Sequence, residues 1–154
     1  MLSIDQKLAE LGVVLPDLAA PIANYMAATM HNRTLYISGQ LPRNGDLLVT
    51  GQVGRDLTVA EGAEAARLCA IAVLAAAKAA LLGDLGRIEQ CLVLNGFVNA
   101  PAEFTDHPRV MNGASDLLVA ILGDSGKHSR AAVGVSSLPL GAAVEVSACF
   151  ALTS

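Results

Sequence analysis

With 154 residues the chain has room for a single domain with a substantial core. A hydrophobic content of 53% against 16% charged residues leaves too little charge to coat a monomer, so a large apolar area is expected to lie hidden in an oligomer. The formal net charge of −4, basic residues scattered singly, and only two Tyr, three Phe and no Trp argue against nucleic acid as the main partner.

The first element is a short helix from Ile4 to Leu11, with Leu8 and Leu11 at helical spacing and Gly12 as its stop. Met1-Leu2-Ser3-Ile4-Asp5 opens with acid rather than base, unlike a secretory leader. Pro16 and Pro21 break the chain, so residues 1–20 are read as a helix and extension on a single domain spanning 1–154. Asn24 to His31 and Arg33 to Ser38 read as a strand pair around a tight His31-Asn32-Arg33 turn, with Leu35 and Ile37 on one face. Gly39 to Asp56 is a long loop punctuated by glycines, of a length that often lines a site.

Thr58-Val59-Ala60-Glu61 is a capping box that starts a helix running to about Leu82. Its apolar run from Leu68 to Leu82 is about 15 residues and is interrupted by Lys78, so it reads as a buried helix and not a membrane span. Arg87 to Asn99 alternates as a strand, with Leu92, Leu94 and Val98 on one face and Cys91, Val93, Asn95 and Phe97 on the other. A second long helix is expected from about Pro108 to Leu122, ended by Gly123.

The last third, His128 to Phe150, reads as two alternating runs around a Pro/Gly turn, hence an antiparallel hairpin. The order is then β-β-α-β-α-β-β, an α+β fold with a mostly antiparallel sheet covered on one face by two long helices. Two isolated charges stand in that hairpin, Arg130 and Glu145, and the alternation puts both on the face away from the helices. If Leu138 pairs with Ala143, they lie six residues apart along the sheet, roughly 20 Å at about 3.3 Å per residue. A site using both would combine two subunits.

Cys69, Cys91 and Cys149 are far apart and odd in number, which suits reduced, buried thiols in a cytoplasmic protein. His31 and His128 read as turn or surface histidines, and His107 before Pro108 as local structure at a helix start. Neither a metal-ligand cluster nor a Ser-His-Asp order nor a phosphate-cradling motif stands out, so no metal or organic cofactor is expected.

Two motifs bring a family with them. Ser38-Gly39-Gln40-Leu41-Pro42 resembles the SGQxP segment of the RidA/YjgF family of reactive-intermediate imine deaminases, also labelled L-PSP endoribonucleases. Ser129-Arg130-Ala131-Ala132-Val133, Leu138-Pro139 and Val144-Glu145-Val146 resemble its C-terminal signature. The resemblance implies a chorismate-mutase-like (YjgF-like) subunit, a homotrimer, and sites in the clefts between subunits. It implies that Arg130 holds a substrate carboxylate and Glu145 positions the hydrolytic water, with Tyr25, Ser38, Gly39, Asn112 and Ala132 contributing contacts. Several positions depart from the family pattern: Ser129 where Ala or Pro is usual, Ala132 where many members carry Cys, and Ser115 in place of an aromatic. The N-terminal helix and the longer Asp124-Ser125-Gly126-Lys127-His128 approach are then the mark of a divergent branch.

The implied activity is hydrolysis of reactive 2-imino acids to 2-oxo acids and ammonia. An Arg fork matches a carboxylate, and one further carboxylate suffices to direct water. The competing readings are a non-catalytic trimeric module that binds a small carboxylate and, against the acidic balance, a ribonuclease.

Overall fold

Two capping boxes start helices where the sequence marks them. Ser3 accepts from the Gln6 amide and Gln6 caps back, opening α1 (Ile4–Glu10), and Thr58 with Glu61 does the same for α2 (Val59–Ala80). The computed structural model describes residues 1–18 and 24–154, so the break read at Pro21 and the end of the N-terminal extension lie outside it. The first strand, β1 (Ala28–His31), begins later than the sequence suggests and pairs with β2 (Thr34–Gln40). The long loop contains a two-residue ladder, β3 (Arg43–Asn44) with β4 (Leu47–Leu48). Then follow β5 (Ile88–Asn99), α3 (His107–Leu122), β6 (Ser129–Val135) and β7 (Val144–Leu152).

The main sheet has the order β1-β2-β7-β5-β6, which corrects the expected closing hairpin. β6 and β7 are not neighbours: β5 lies between them, antiparallel to β7 and parallel to β6. The chain from β5 through α3 to β6 is therefore a crossover unit, the connection parallel strands require. The Leu-Pro turn is no hairpin turn either. Pro139–Gly141 forms a single 3-10 turn with Leu140 at φ 58°, and the backbone beyond it bonds to the long loop, Ala143 N–H to Val49 O at 3.0 Å.

Both long helices cover one face of the sheet, α2 over β7 and β2, α3 over β5 and β6. Val144, Val146, Phe150 and Leu152 of β7 point into that layer, as their alternation indicates, together with Leu35 and Ile37 of β2. In β5 the simple alternation fails. Irregularities between Ile88 and Gln90 and between Cys91 and Val93 reset the pleat, so Cys91 is buried and Leu92 is exposed, the reverse of the expected faces. None of the described helices is long and apolar enough to cross a membrane.

The alanine-rich face of α2 serves close approach. Ala65, Ala66, Ala70, Ala76 and Ala77 are buried, and Gly113 of α3 faces the Ala63 carbonyl so closely that a Cβ there would collide with it. Gly113→Ala should therefore lower stability by about 1–3 kcal/mol through overpacking, although alanine by itself favours a helix by about 1 kcal/mol. A urea unfolding series checks this; an unchanged or raised midpoint would mean the two helices have slack at their crossing.

Candidate functional site

β5 decides where the two isolated charges go. Arg130 pairs with Leu94 of β5, and Glu145 pairs with Phe97. Leu94 is fully buried under the helices, so its partner Arg130 rises from the helix-covered face at the sheet edge. Phe97 lies three residues on, hence on the opposite face, and takes Glu145 with it. The shared face expected for these two residues is thus corrected, and so is their spacing. They stand about 10 Å apart along the strands and about 10 Å across them, on opposite sides of the sheet.

Arg130 is built into a polar stripe of α3. Pro108, Asn112 and Ser115 fall at i, i+4 and i+7, one face of the helix, while Val110, Met111, Ala114, Leu117 and Leu118 form its buried face. Arg130 Nη1 donates to Asn112 Oδ1 at 2.9 Å and to Ser115 Oγ at 3.1 Å, and Nη2 donates to Pro108 O at 3.5 Å. Each of these acceptors is neutral. Among the described residues no carboxylate comes within ion-pair distance of Arg130.

Glu145 belongs to a second cluster, around the irregularity of β2 between Ile37 and Gln40. Gly39 stands in it, and a Cβ there would collide with the Glu145 carboxylate, so only glycine leaves that side chain its place against β2. Ser38 Oγ donates to Met26 O at 2.6 Å, which ties the segment carrying the exposed Tyr25 to β2. Among the described residues Glu145 has no side-chain hydrogen bond or ion pair, and partial burial pushes its carboxyl above the usual carboxylate range.

The predicted residues thus sort into two separate clusters. Arg130, Asn112 and the half-buried Ala132, opposite Gly96, form one; Glu145, Gly39, Ser38 and Tyr25 form the other. Sequence reasoning assigned no role to Ser115 and left His128 as a turn or surface residue, yet Ser115 Oγ lies 2.9 Å from His128 Nε2. The i+7 spacing from Pro108 was the available signal. His107 is local structure as expected, edge-on to Phe104 with centroids 5.2 Å apart. The cysteines are free, Cys69 and Cys91 buried as expected and Cys149 only partly so; burial pushes the Cys91 thiol up to about 12 and raises those of Cys69 and Cys149. Among the described residues no three His, Cys, Asp or Glu side chains converge as metal ligands.

A family model described as "YjgF/chorismate mutase-like, putative endoribonuclease" matches residues 5–151. Protein TCP17 of Trypanosoma cruzi is 48% identical over 150 residues, covering 96% of this chain and 92% of its own. A crystal structure of a protein of unknown function from Agrobacterium tumefaciens is 47% identical, with a TM-score of 0.92 over 97% of this chain and 93% of its own. RidA from the Antarctic bacterium Psychrobacter sp. PAMC 21119 is 27% identical, with a TM-score of 0.57 over 86% of this chain and 92% of its own.

The Glu145 environment gives a pH signature. Its raised carboxyl ionises at lower pH in the unfolded chain than in the folded one, so as pH rises past about 4 the unfolded state sheds the proton first and the fold loses stability. Glu145→Gln should melt higher than wild type at pH 7, and the advantage should vanish below about pH 4. An equal difference at both pH values, read by thermal unfolding, would show that the desolvated charge is not its source.

Proposed function

The chain belongs to the YjgF/chorismate mutase-like family, the RidA/YjgF proteins, and on that premise we propose that it is an imine deaminase whose working site is completed between subunits of a homotrimer. The observation that carries this reading is the state of Arg130. It is an unneutralised guanidinium on an edge strand, held in place wholly by neutral acceptors. Such a cation is a receptor for an anion, and its planar fork suits a carboxylate.

The same geometry supports the proposed assembly. β6 is an edge strand whose Ala131 and Val133 are exposed, with Val133 at 45% exposure, and unpaired apolar edges of this kind are normally covered. A closed head-to-tail ring would bring the Arg130 edge of one subunit to the Glu145 cluster of the next. One chain cannot unite them, because they rise from opposite faces.

In that cleft Arg130 would hold the carboxylate of a 2-imino acid and so fix the imine carbon relative to Glu145. Glu145 would orient a water and take its proton as the oxygen adds to the imine carbon. Glu145 passes that proton to the imine nitrogen, giving a neutral carbinolamine, and then accepts the hydroxyl proton as the carbonyl of the 2-oxo acid forms and returns it to the nitrogen, which leaves as ammonia as the C–N bond breaks. The upward shift that burial gives the Glu145 carboxyl favours the proton-accepting half of this cycle. Asn112 would keep Arg130 in place, and Gly39 would leave room for Glu145 beside the backbone.

A second reading, a trimeric module that binds a small carboxylate without turning it over, is favoured by one observation: the Arg130 half-site is complete in itself. Conversion of enzymatically generated 2-aminoacrylate, which tautomerises to 2-iminopropanoate, separates the two. Wild type should accelerate pyruvate and ammonia release. Arg130→Ala should lose about a hundredfold in kcat/KM, the effect of removing a charged two-point contact of about 3 kcal/mol. Glu145→Gln should lose kcat with little change in KM. Saturable carboxylate binding without turnover would instead establish the binding module, and a stable monomer in sedimentation would remove the shared site from both readings.

A further inference from the structure

We propose that Ser115 and His128 form a relay that sets the orientation of Arg130, presenting one defined edge of its guanidinium to the ligand. The inference rests on the reading of Arg130 as a carboxylate anchor. Both ends of the relay have fixed polarity. At one end, His128 Nδ1 lies 2.5 Å from Gly126 O, and a carbonyl only accepts, so Nδ1 carries the hydrogen. In the neutral imidazole Nε2 is then an acceptor, and the Ser115 hydroxyl donates a hydrogen bond to it at 2.9 Å. With its hydrogen spent, Ser115 Oγ offers a lone pair to Arg130 Nη1, a group that only donates. The chain Arg130 to Ser115 to His128 to Gly126 therefore runs in one direction. Its far end is anchored in the 3-10 turn Gly123–Gly126, which packs on α3 and contains the buried Gly126.

The relay also decides what remains free. Nη1 spends both hydrogens, on Asn112 and Ser115, and Nη2 turns one to Pro108 O. In the proposed arrangement Pro108 O takes the Nη2 hydrogen on the Nη1 side, which leaves the Nε hydrogen and the second Nη2 hydrogen parallel along one edge of the guanidinium. That edge matches the two oxygens of one carboxylate. Without Ser115 and its histidine, Nη1 would keep a spare donor and the plane would be held only by Asn112 and the longer Pro108 contact, so a two-point grip would cost more entropy to form.

Ser115 is not proposed as a nucleophile despite its histidine. It sits inside a 16-residue helix whose amides are used along its own axis, so no pair of backbone N–H groups is available beside it to hold an oxyanion. It is a positioning residue, and His128 acts through it.

The test pairs binding with turnover. Calorimetric titration with pyruvate, a carboxylate that cannot be deaminated, is compared with kcat and KM for 2-iminopropanoate. Ser115→Ala keeps the helix, alanine being the best helix former, and His128→Leu removes the acceptor. Each should weaken pyruvate binding and raise KM about tenfold, the worth of one hydrogen bond to a charged group, while kcat stays within about twofold. The double variant should be no worse than either single one, because both cut the same chain. His128→Gln, which restores an acceptor for the hydroxyl, should recover most of the loss. If Ser115→Ala and His128→Leu bind pyruvate like wild type while Arg130→Ala does not bind it, the relay is refuted and the anchor stands. If Arg130→Ala also binds like wild type, the anchor reading itself falls. A loss of kcat at unchanged KM would refute a positioning role.

Discussion

The pairing of β5 with β7 on one side and β6 on the other is the constraint on which the candidate site depends. Parity along a strand fixes the face of every side chain, and parity carries across a ladder because paired residues share a face. Arg130 and Glu145 are referred to β5 at Leu94 and Phe97, an odd separation. No rotamer change can bring them together on one chain, since a sheet packed under two helices stands between them. The same pairing makes β6 an edge, and the edge is where α3 can support the arginine from behind while its front stays open.

The helices were legible in the sequence because their signals are local. A capping box spans four residues, and the apolar period of α2 and α3 repeats every turn, so each can be read without knowing what packs against it. The neighbours of β6 were not local. Two alternating runs around Leu138-Pro139 have the pattern of a hairpin, but Pro139–Gly141 makes a 3-10 turn whose flanking backbone pairs with the distant 49–51 loop. The order strand, helix, strand before it already contained the alternative, a parallel crossover. Local turn chemistry and crossover topology made competing claims on one segment, and the longer-range one prevailed. In β5 it was the two irregularities that defeated simple alternation, as they leave no mark in residue type.

The site shows the same division. Arg130 and Glu145 could be singled out because charges are rare in an apolar chain, whereas Ser115 and His128 are common surface residues whose meaning comes only from the turn that brings His128 back onto α3. Gly39 is intermediate: its motif marked it, but the reason for a glycine, the carboxylate lying where a Cβ would be, is visible only once β2 and β7 are paired.

In the proposed ring the two half-sites would also correct each other electrostatically. Alone, Glu145 is penalised by partial burial and Arg130 has no counter-ion among the described residues. Brought into one cleft, the arginine would offset part of the burial penalty on the carboxylate, which suits a resting base that must be ionised. A ligand carboxylate on the open edge of Arg130 would cancel that charge. Glu145 would then feel its burial again, and its affinity for a proton would rise at the moment a water is to be deprotonated. Such coupling needs the two groups close but not touching, with the ligand between them. A direct Arg–Glu ion pair on one chain would forfeit it, because the pair would have to be broken before either group could meet the ligand, and separation of the two residues on opposite faces of the sheet prevents that pair from forming.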